Sequence, residues 1–248
     1  MLSKALTLFA ACLLSGSVLA ADLTVSAASS LTNAFKEIAP LFEADHPGTK
    51  VLLNFAASGA LLQQIAKGAP VDVFASADQE TMNQAQARSL VLAAERRDFA
   101  ANKLVVIVPS DGKPLPRAVA DLSQPTYARI AIGLPASVPV GRYTQGVLQK
   151  AGLWTVIEPK MIAAQNVRQV LDYVARGEVD AGFVYSTDAA LMPDKVRTAV
   201  TVPTETPILY PIAALAQSAN AEAARQFVAF VLSPPAQGVL AKYGFGKP

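Results

Sequence analysis

The chain has 248 residues, 52% of them hydrophobic, with 21 Lys or Arg against 19 Asp or Glu and a net charge of +2. A chain so near neutrality, without a block of basic residues, is poorly suited to nucleic acid or to an anionic membrane surface. Its length is enough for one large domain or two of ordinary size. If the ligand is charged, local geometry rather than the overall field must bind it.

Residues 1–20 have the features of a secretory signal peptide. Lys4 supplies a positive charge, and the apolar stretch 5–14 is too short to span a bilayer. Val18 and Ala20 are small enough for a signal peptidase site. We therefore expect export, and a soluble protein in the periplasm or outside the cell.

Cys12 is the single cysteine of the sequence and lies within this segment. A lipoprotein attached through Cys12 is a weaker alternative, because the bulky Phe9 stands where such sites prefer an aliphatic residue. Removal of the first 20 of 248 residues leaves 228 residues without a cysteine. An exported protein without disulfides must be held together by its core alone.

Apolar runs typical of strands alternate with helix-like patterns along most of the chain. Phe35, Ile38 and Phe42 recur every three or four residues and predict a helix that Pro47 and Gly48 end. The nearly continuous apolar run 103–109 is typical of a strand covered on both faces. The predicted strands cover residues 23–28, 51–57, 71–76, 103–109, 129–135 and 179–185. The predicted helices cover residues 31–46, 60–68, 141–152 and 166–177, and a C-terminal pair within 220–245 that breaks at 234–235.

This alternation predicts an α/β architecture with mostly parallel sheets. A weak internal echo links 63–78 to 171–188: each segment reads as a helix, a basic residue, Gly, Val-Asp, a strand and a final Asp. The echo indicates two similar lobes, and the apolar run 209–216 would return the chain to the first. We expect residues 21–100 plus 213–248 in lobe 1 and 101–212 in lobe 2, with a hinged cleft between them.

Few residues support an enzyme. His46, the single histidine, lies at a predicted helix end, so neither a Ser-His-Asp triad nor a histidine-rich metal site is expected. Asp72 and Asp180 each begin a strand, which favours a turn or salt-bridge role over a catalytic pair. The enzyme alternative is an exported hydrolase with Ser30 or Ser58 as nucleophile and a lysine as base.

Four helix N-termini instead indicate an anion site. They begin near Ser30, Ser58, Val140 and Val167, and each offers free backbone N–H groups and a partial positive charge. Parallel strands place such N-termini at one edge, where two facing lobes would bring them together with the Tyr185 hydroxyl. The plainer alternative is that Ser30, Ser58 and Asn166 are ordinary N-caps and Tyr185 a packed aromatic.

Four segments, taken as a set, resemble the periplasmic molybdate-binding proteins of ABC importers. The resemblance runs in order through nearly all of the chain after residue 20, with 27 positions from Val140 to Val167 and 18 from Val167 to Tyr185. The segments are "AASSLTNAF" (27–35), "NFAASGALLQQIAKGAPVDVFASAD" (54–78), "SVPVGRYTQGVL" (137–148) and "NVRQVLDYVARGEVDAGFVYSTDA" (166–189).

The resemblance implies a class II periplasmic solute-binding fold with two similar lobes. It implies a monomeric binding protein, not an enzyme and without a cofactor, that captures molybdate or tungstate and delivers it to a membrane permease. The implied ligand set donates only neutral hydrogen bonds to the oxygens of the anion, without direct coordination of the metal. Ser30 and Ser58 would donate from backbone and hydroxyl, Val140 and Val167 from backbone N–H, and Tyr185 from its hydroxyl.

Two departures and several alternative ligands remain. The second segment lacks the longer Ser/Thr run common in relatives, and Val140 is bulkier than the residue usual there. Donors alone suit a fully deprotonated anion, whereas protonated phosphate would leave an O–H unpaired at a cost of about 1–3 kcal/mol. Sulfate, phosphate or ferric ion in the same fold is the alternative, although a ferric site usually requires paired tyrosines and acidic ligands.

Overall fold

The computed structural model of the protein describes residues 21–111 and 114–248. The predicted signal peptide at 1–20, with Cys12, lies outside these residues. The described residues fold around two five-stranded sheets. No helix among them is long and apolar enough to cross a membrane.

The strands in chain order are β1 (Ala21–Ala28), β2 (Thr49–Ala56), β3 (Val73–Ala75), β4 (Arg97–Asn102), β5 (Leu104–Pro109), β6 (Ile130–Gly133), β7 (Met161–Ala164), β8 (Ala181–Tyr185), β9 (Val196–Val202) and β10 (Ile208–Ala214). The helices are α1 (Thr32–Asp45), α2 (Ser58–Ala66), α3 (Gln79–Ala87), α4 (Pro139–Lys150), α5 (Trp154–Ile157), α6 (Val167–Ala175), α7 (Ser186–Ala189), α8 (Ala221–Val231) and α9 (Pro234–Lys242).

The first sheet has the order β2-β1-β3-β10-β4 and the second the order β7-β6-β8-β5-β9. In each sheet two pairings are parallel, and they centre on β1 and on β6. The other two pairings are antiparallel and centre on β10 and on β5. The prediction of mostly parallel sheets was therefore wrong, because strands that enter a sheet from the other lobe run against the βαβ units already there.

The hydrophobic patterns lie where the sequence predicts them. Phe35, Ile38 and Phe42 on α1 are fully buried. The six residues of β5 are all buried, as expected of a strand covered on both faces. The C-terminal helices α8 and α9 separate just before Pro234, which begins α9. Alternation of strand and helix thus builds two α/β lobes, each with its own sheet.

The chain changes sheets twice. The first change occurs at Lys103, the one residue between β4 and β5, and the second in the segment 203–207 between β9 and β10. β10 lies wholly in the first sheet, so the run 209–216 does return the chain to the first lobe, whereas the expected boundary at 212/213 cuts through this strand. We propose lobe boundaries at these two connections.

Candidate functional site

The five residues predicted to bind the anion line one small cavity between the lobes, with a volume of about 10 Å³. Each of the five is at most 3% exposed. Among the residues that the structure describes, no charged side chain lines the cavity. The lining residues are Ala28, Ser29, Ser30, Ala57, Ser58, Ala77, Val138, Pro139, Val140, Val167 and Tyr185.

Ser30 and Ser58 occupy the two strand-to-helix junctions of the first lobe. Ser30 lies in a short 3-10 turn, Ser29–Leu31, that joins β1 to α1, and Ser58 is the first residue of α2. Neither junction has a side-chain cap. The interpretation of these serines as ordinary N-caps was wrong, because the N-cap positions are held by Ala28, Leu31 and Ala57.

Val140 and Val167 contribute their backbones. Val140 is the second residue of α4, after Pro139, and Val167 is the first residue of α6. N–H groups in a helix's first turn lack an intrahelical acceptor and carry partial positive charge. Asn166 is a true N-cap, since its side chain accepts the N–H of Gln169 at 3.0 Å.

Tyr185 ends β8 and is 1% exposed. Its hydroxyl donates to the carbonyl oxygen of Ala77 at 3.4 Å, across the boundary between the lobes. Burial raises the pKa of Tyr185 well above its usual value of 10, so the hydroxyl keeps its hydrogen at any ordinary pH. A neutral donor therefore stands at this wall of the cavity.

The serine hydroxyls each have a buried partner in the first lobe. The backbone N–H of Ala77 donates to Ser58 Oγ at 3.0 Å. Ser30 Oγ lies 3.1 Å from the hydroxyl of Tyr210, a fully buried residue of β10. Tyr210 was not predicted, because 180 positions separate it from Ser30.

Arg142 of α4 joins the two lobes at one side of the cavity. Its Nε donates to Asp78 Oδ2 at 2.8 Å and its Nη2 donates to Thr81 Oγ1 at 2.6 Å, both in the first lobe. Asp78 also caps α3 by accepting the N–H of Thr81 at 3.1 Å. The arginine thus reaches the start of a helix in the opposite lobe.

Arg168 of α6 makes a second bridge. Its Nε donates to Asp188 Oδ1 at 2.6 Å within its own lobe. Its Nη1 donates to Asn33 Oδ1 at 2.7 Å and its Nη2 to the Ser30 carbonyl at 3.1 Å, both in the other lobe. Burial, partly offset by Arg168, raises the pKa of Asp188 to about 6. Each guanidinium beside the cleft is paired with a carboxylate and so adds little net charge.

The lobes also touch through backbone. The N–H of Gly59 donates to the carbonyl of Ser137 at 3.0 Å. A Cβ on Gly59 would lie 2.6 Å from that oxygen, closer than real side chains come. Only glycine therefore allows α2 to approach the second lobe this closely, and the structure is a form in which the two lobes are in contact beside the cavity.

The acidic residues of the sequence echo divide into two roles. Asp72 and Asp180 tie neighbouring segments together: Asp72 accepts the Thr24 N–H at 2.8 Å, and Asp180 accepts the Ala128 and Arg129 N–H groups at 2.8 Å. These contacts join segments 48 to 52 positions apart, so the predicted role in a local turn was wrong for them. The final aspartates of the two echo segments, Asp78 and Asp188, pair with the bridging arginines Arg142 and Arg168. The sequence echo identified these two aspartates but not the arginines that they contact.

The arrangement suits the binding of a small anion. His46 stacks on Phe42, with ring centroids 4.0 Å apart, and does not line the cavity. Among the described residues no cluster of three His, Cys, Asp or Glu side chains could hold a metal ion directly. Two α/β lobes that enclose a small cavity of uncharged donors define a two-lobed solute-binding protein.

Comparison with known sequences agrees with this class. The sequence model of the family described as "Bacterial extracellular solute-binding protein" matches residues 23–246. The chain is 35% identical to the molybdate-binding protein ModA of Escherichia coli (strain K12), over 99% of both chains. The protein belongs to the family of bacterial extracellular solute-binding proteins.

Solved structures show the same fold. The periplasmic molybdate-binding protein of Azotobacter vinelandii is 25% identical and superposes with a TM-score of 0.77, over 91% of this chain and 99% of that one. The sulfate-binding protein SubI of Mycobacterium tuberculosis H37Rv is 19% identical and superposes with a TM-score of 0.81, over 91% of this chain and 86% of that one. The fold is thus shared by binders of different oxyanions and does not choose between them.

Proposed function

We propose that this protein binds molybdate or tungstate in the cavity between its lobes and delivers the anion to the membrane permease of an ABC importer. The 35% identity to the molybdate-binding protein of Escherichia coli over nearly the whole chain supports this ligand. The observation that carries the proposal is the cavity itself, which gathers all five predicted donor residues and no charged side chain.

The chemistry of the lining fits a fully deprotonated tetrahedral oxyanion. Such an anion offers acceptor lone pairs on every oxygen and no hydrogen to donate. In the proposed complex Ser30 and Ser58 donate from backbone and hydroxyl, and Val140 and Val167 donate backbone N–H groups. Tyr185 donates its one hydroxyl hydrogen to an oxygen of the anion in place of the long 3.4 Å bond to the Ala77 carbonyl. Inside a closed cavity neutral donors act at low local dielectric, where each hydrogen bond is stronger than in water.

The proposed path begins with export. Residues 1–20 act as the signal peptide, and the protein works in the periplasm as a monomer without a cofactor or a catalytic activity. The bridges at Arg142 and Arg168 hold the lobes together around the anion, and the closed form is the one that the permease receives. In this proposal the serines are binding groups, since neither has a base beside it that would make it a nucleophile.

Sulfate is the second candidate, because a sulfate-binding protein shares this fold with a TM-score of 0.81. It has the same charge and the same lack of donors as molybdate but is smaller. Phosphate and ferric ion fit the lining less well, since the cavity offers neither an acidic group for a P–O–H nor a carboxylate ligand for iron.

Calorimetry with residues 21–248 tests the proposal. Sodium molybdate, tungstate, sulfate, phosphate and ferric citrate are titrated separately, and thermal unfolding is measured with each. A ligand that binds only the folded form raises its stability by about 2.7 kcal/mol at a hundredfold excess over Kd. We expect this shift with molybdate and tungstate. A rise in stability with sulfate alone would mean that the ligand is sulfate and not molybdate. No rise with any of the anions would reject the proposed function.

A further inference from the structure

A chain of hydrogen-bonding groups, which begins at the half-buried Asn102 and passes through the buried Tyr210, leads from the connection between the lobes to the cavity. Asn102 Nδ2 lies 3.2 Å from the Tyr210 hydroxyl, which lies 3.1 Å from Ser30 Oγ. Asn102 is the last residue of β4, next to Lys103, where the chain changes sheets. The binding serine is therefore linked to the hinge through one tyrosine.

The Asn102 end of this chain has a fixed direction. The backbone N–H of Lys103, which can only donate, lies 2.9 Å from Asn102 Oδ1, and the Ser186 hydroxyl donates to the same oxygen at 3.0 Å. The amide nitrogen of Asn102 therefore faces Tyr210 and Thr187 Oγ1, which is 2.9 Å away. Because this nitrogen has no free lone pair, the Tyr210 oxygen must accept from it.

The direction then passes to Ser30. Burial raises the pKa of Tyr210 well above 10, so its hydroxyl keeps a hydrogen. Among the described residues the hydroxyl has two partners, Asn102 Nδ2 and Ser30 Oγ, and only Ser30 can accept. A buried hydroxyl hydrogen without an acceptor would cost about 1–3 kcal/mol. Tyr210 therefore donates to Ser30.

The Ser30 hydroxyl hydrogen is therefore not used by Tyr210 and can be donated to a ligand in the cavity. Its oxygen already accepts from Tyr210, and the residue lines the cavity. Among the described residues the serine hydrogen has no other acceptor, and one of the two lone pairs of Oγ is already used, so the hydroxyl offers a ligand its hydrogen and a single remaining lone pair. Ser58 has the same arrangement, because its oxygen accepts the backbone N–H of Ala77, a group that can only donate.

We propose that Tyr210 and Asn102 are positioning residues that commit the Ser30 hydroxyl to donate into the cavity, and so select oxyanions without a hydrogen over those that carry one. This inference rests on the proposed function and deepens it. It assigns a role to two residues that do not touch the ligand. The direction of the hydrogen bonds, rather than the residue types alone, then disfavours hydrogenphosphate and hydrogenarsenate, because one of the two lone pairs of the Ser30 oxygen is no longer open to their hydrogen.

Tyr210→Phe removes the donor and keeps the ring. The ring packs edge-on against Phe99, Tyr185 and Phe245, with centroids 6.3, 5.8 and 5.5 Å away, and a phenylalanine preserves these contacts. Tyr243→Phe is the matched control, because its hydroxyl contacts Glu37 Oε2 at 3.0 Å and does not line the cavity. Thermal unfolding verifies that both variants fold.

A double-mutant cycle measures whether Tyr210 acts through Ser30. Kd for sodium molybdate is measured by calorimetry for wild type, Tyr210→Phe, Ser30→Ala and the double variant. We expect Tyr210→Phe to weaken binding about threefold to tenfold in wild type, the range of one neutral hydrogen bond, and less than about twofold in Ser30→Ala. An equal loss in both backgrounds, or no loss in wild type, would overturn the proposal.

The selectivity is measured by competition. Inorganic phosphate and arsenate at pH 8 compete against molybdate in wild type, Tyr210→Phe and Tyr243→Phe. We expect the ratio of competitor constant to molybdate Kd to fall at least threefold in Tyr210→Phe only, because the molybdate loses a committed donor and the protonated anions do not. A ratio that stays at the wild-type value would overturn the selectivity.

The two proposals fail in different ways. If wild type binds sulfate and not molybdate, the proposed ligand is wrong, and the same cycle is run with sodium sulfate. Coupling between Tyr210 and Ser30 with sulfate would then support the positioning role in a sulfate-binding protein. Additive losses with sulfate would reject that role.

Discussion

Arg142 of the second lobe holds Asp78 of the first, with Nε 2.8 Å from Oδ2 and Nη2 2.7 Å from the same oxygen. Asp78 is 3% exposed and also begins α3, so the bridge fixes the orientation of a whole helix relative to the opposite lobe. Because this pair joins the two lobes, we expect its loss to weaken the form in which they are in contact.

Arg142→Met should weaken molybdate binding about tenfold, mainly through faster dissociation, because one charged hydrogen bond contributes about 1.5–3 kcal/mol to the closed form. Stopped-flow release and calorimetry measure the two quantities. Arg225→Met is the control, since Arg225 pairs at 2.8 Å with Glu95 inside the first lobe. If both variants release molybdate at the same rate, Arg142 does not hold the lobes together.

Gly59→Ala should separate closure from folding. The added Cβ would meet the Ser137 carbonyl at 2.6 Å, while alanine is favoured in a helix by up to about 1 kcal/mol. We expect ligand-free thermal stability to stay level or rise, and affinity to fall about fivefold to a hundredfold, since overpacking costs about 1–3 kcal/mol.

Gly146→Ala and Gly238→Ala are the matched controls for Gly59→Ala. Both glycines lie in helices, and a Cβ on either meets nothing within 4 Å. They should gain helix stability without losing affinity. An unchanged Kd for Gly59→Ala would show that ligand binding does not need this close approach.

Ser58→Ala should lower both affinity and stability. It removes a donor to the anion, worth about 1.5–3 kcal/mol, and leaves the buried N–H of Ala77 unpaired at a cost of about 1–3 kcal/mol of unfolding free energy. Calorimetry and urea unfolding measure the two effects. The exposed Ser123→Ala is the control. If stability falls while the Kd for molybdate stays unchanged, Ser58 has a structural role and does not bind the anion.

Asp188 should make stability depend on pH. Burial raises its pKa from 3.8 to about 6 in the folded protein, so the folded state holds this proton more tightly than the unfolded state. The resulting contribution is fully present below about 3.8 and is lost as the pH rises through about 6.

Urea unfolding of wild type and Asp188→Asn from pH 4 to 8 isolates this group. The wild-type unfolding free energy should rise relative to the variant as the pH falls from about 6, by at most about 1.4 kcal/mol per pH unit. A difference that is constant with pH, or that falls in acid, would contradict the raised pKa.

Local patterns predicted much of this architecture. The period of α1 and the buried run of β5 depend on neighbouring residues, and the segments around Val140 and Val167 mark helix starts within a few positions. The same local signals placed all five predicted donors at one cavity. Their assignment as ligands stays a proposal, to be tested by the titrations above.

Contacts between distant segments could not be predicted in this way. Arg142 meets Asp78 across 64 positions and Tyr210 meets Ser30 across 180, so no local period links either pair. The sequence also gave no sign that the serine hydroxyls would have partners outside their helices. The edge strands β7 and β9 were not predicted: β7 has only four residues, and the exposed Thr198 and Thr201 interrupt the apolar pattern of β9.

The two connections between the sheets restrict how the lobes can move. One connection is the single residue Lys103 and the other is the segment 203–207, and β4 and β10, from which they leave, are hydrogen-bonded neighbours. Two short adjacent connections act as a hinge: they allow the lobes to rotate about one axis and resist translation of one lobe along the other. We therefore expect the release of the anion to change mainly the angle between the two lobes. A permease that contacts both lobes could distinguish the loaded protein from the empty one by that angle.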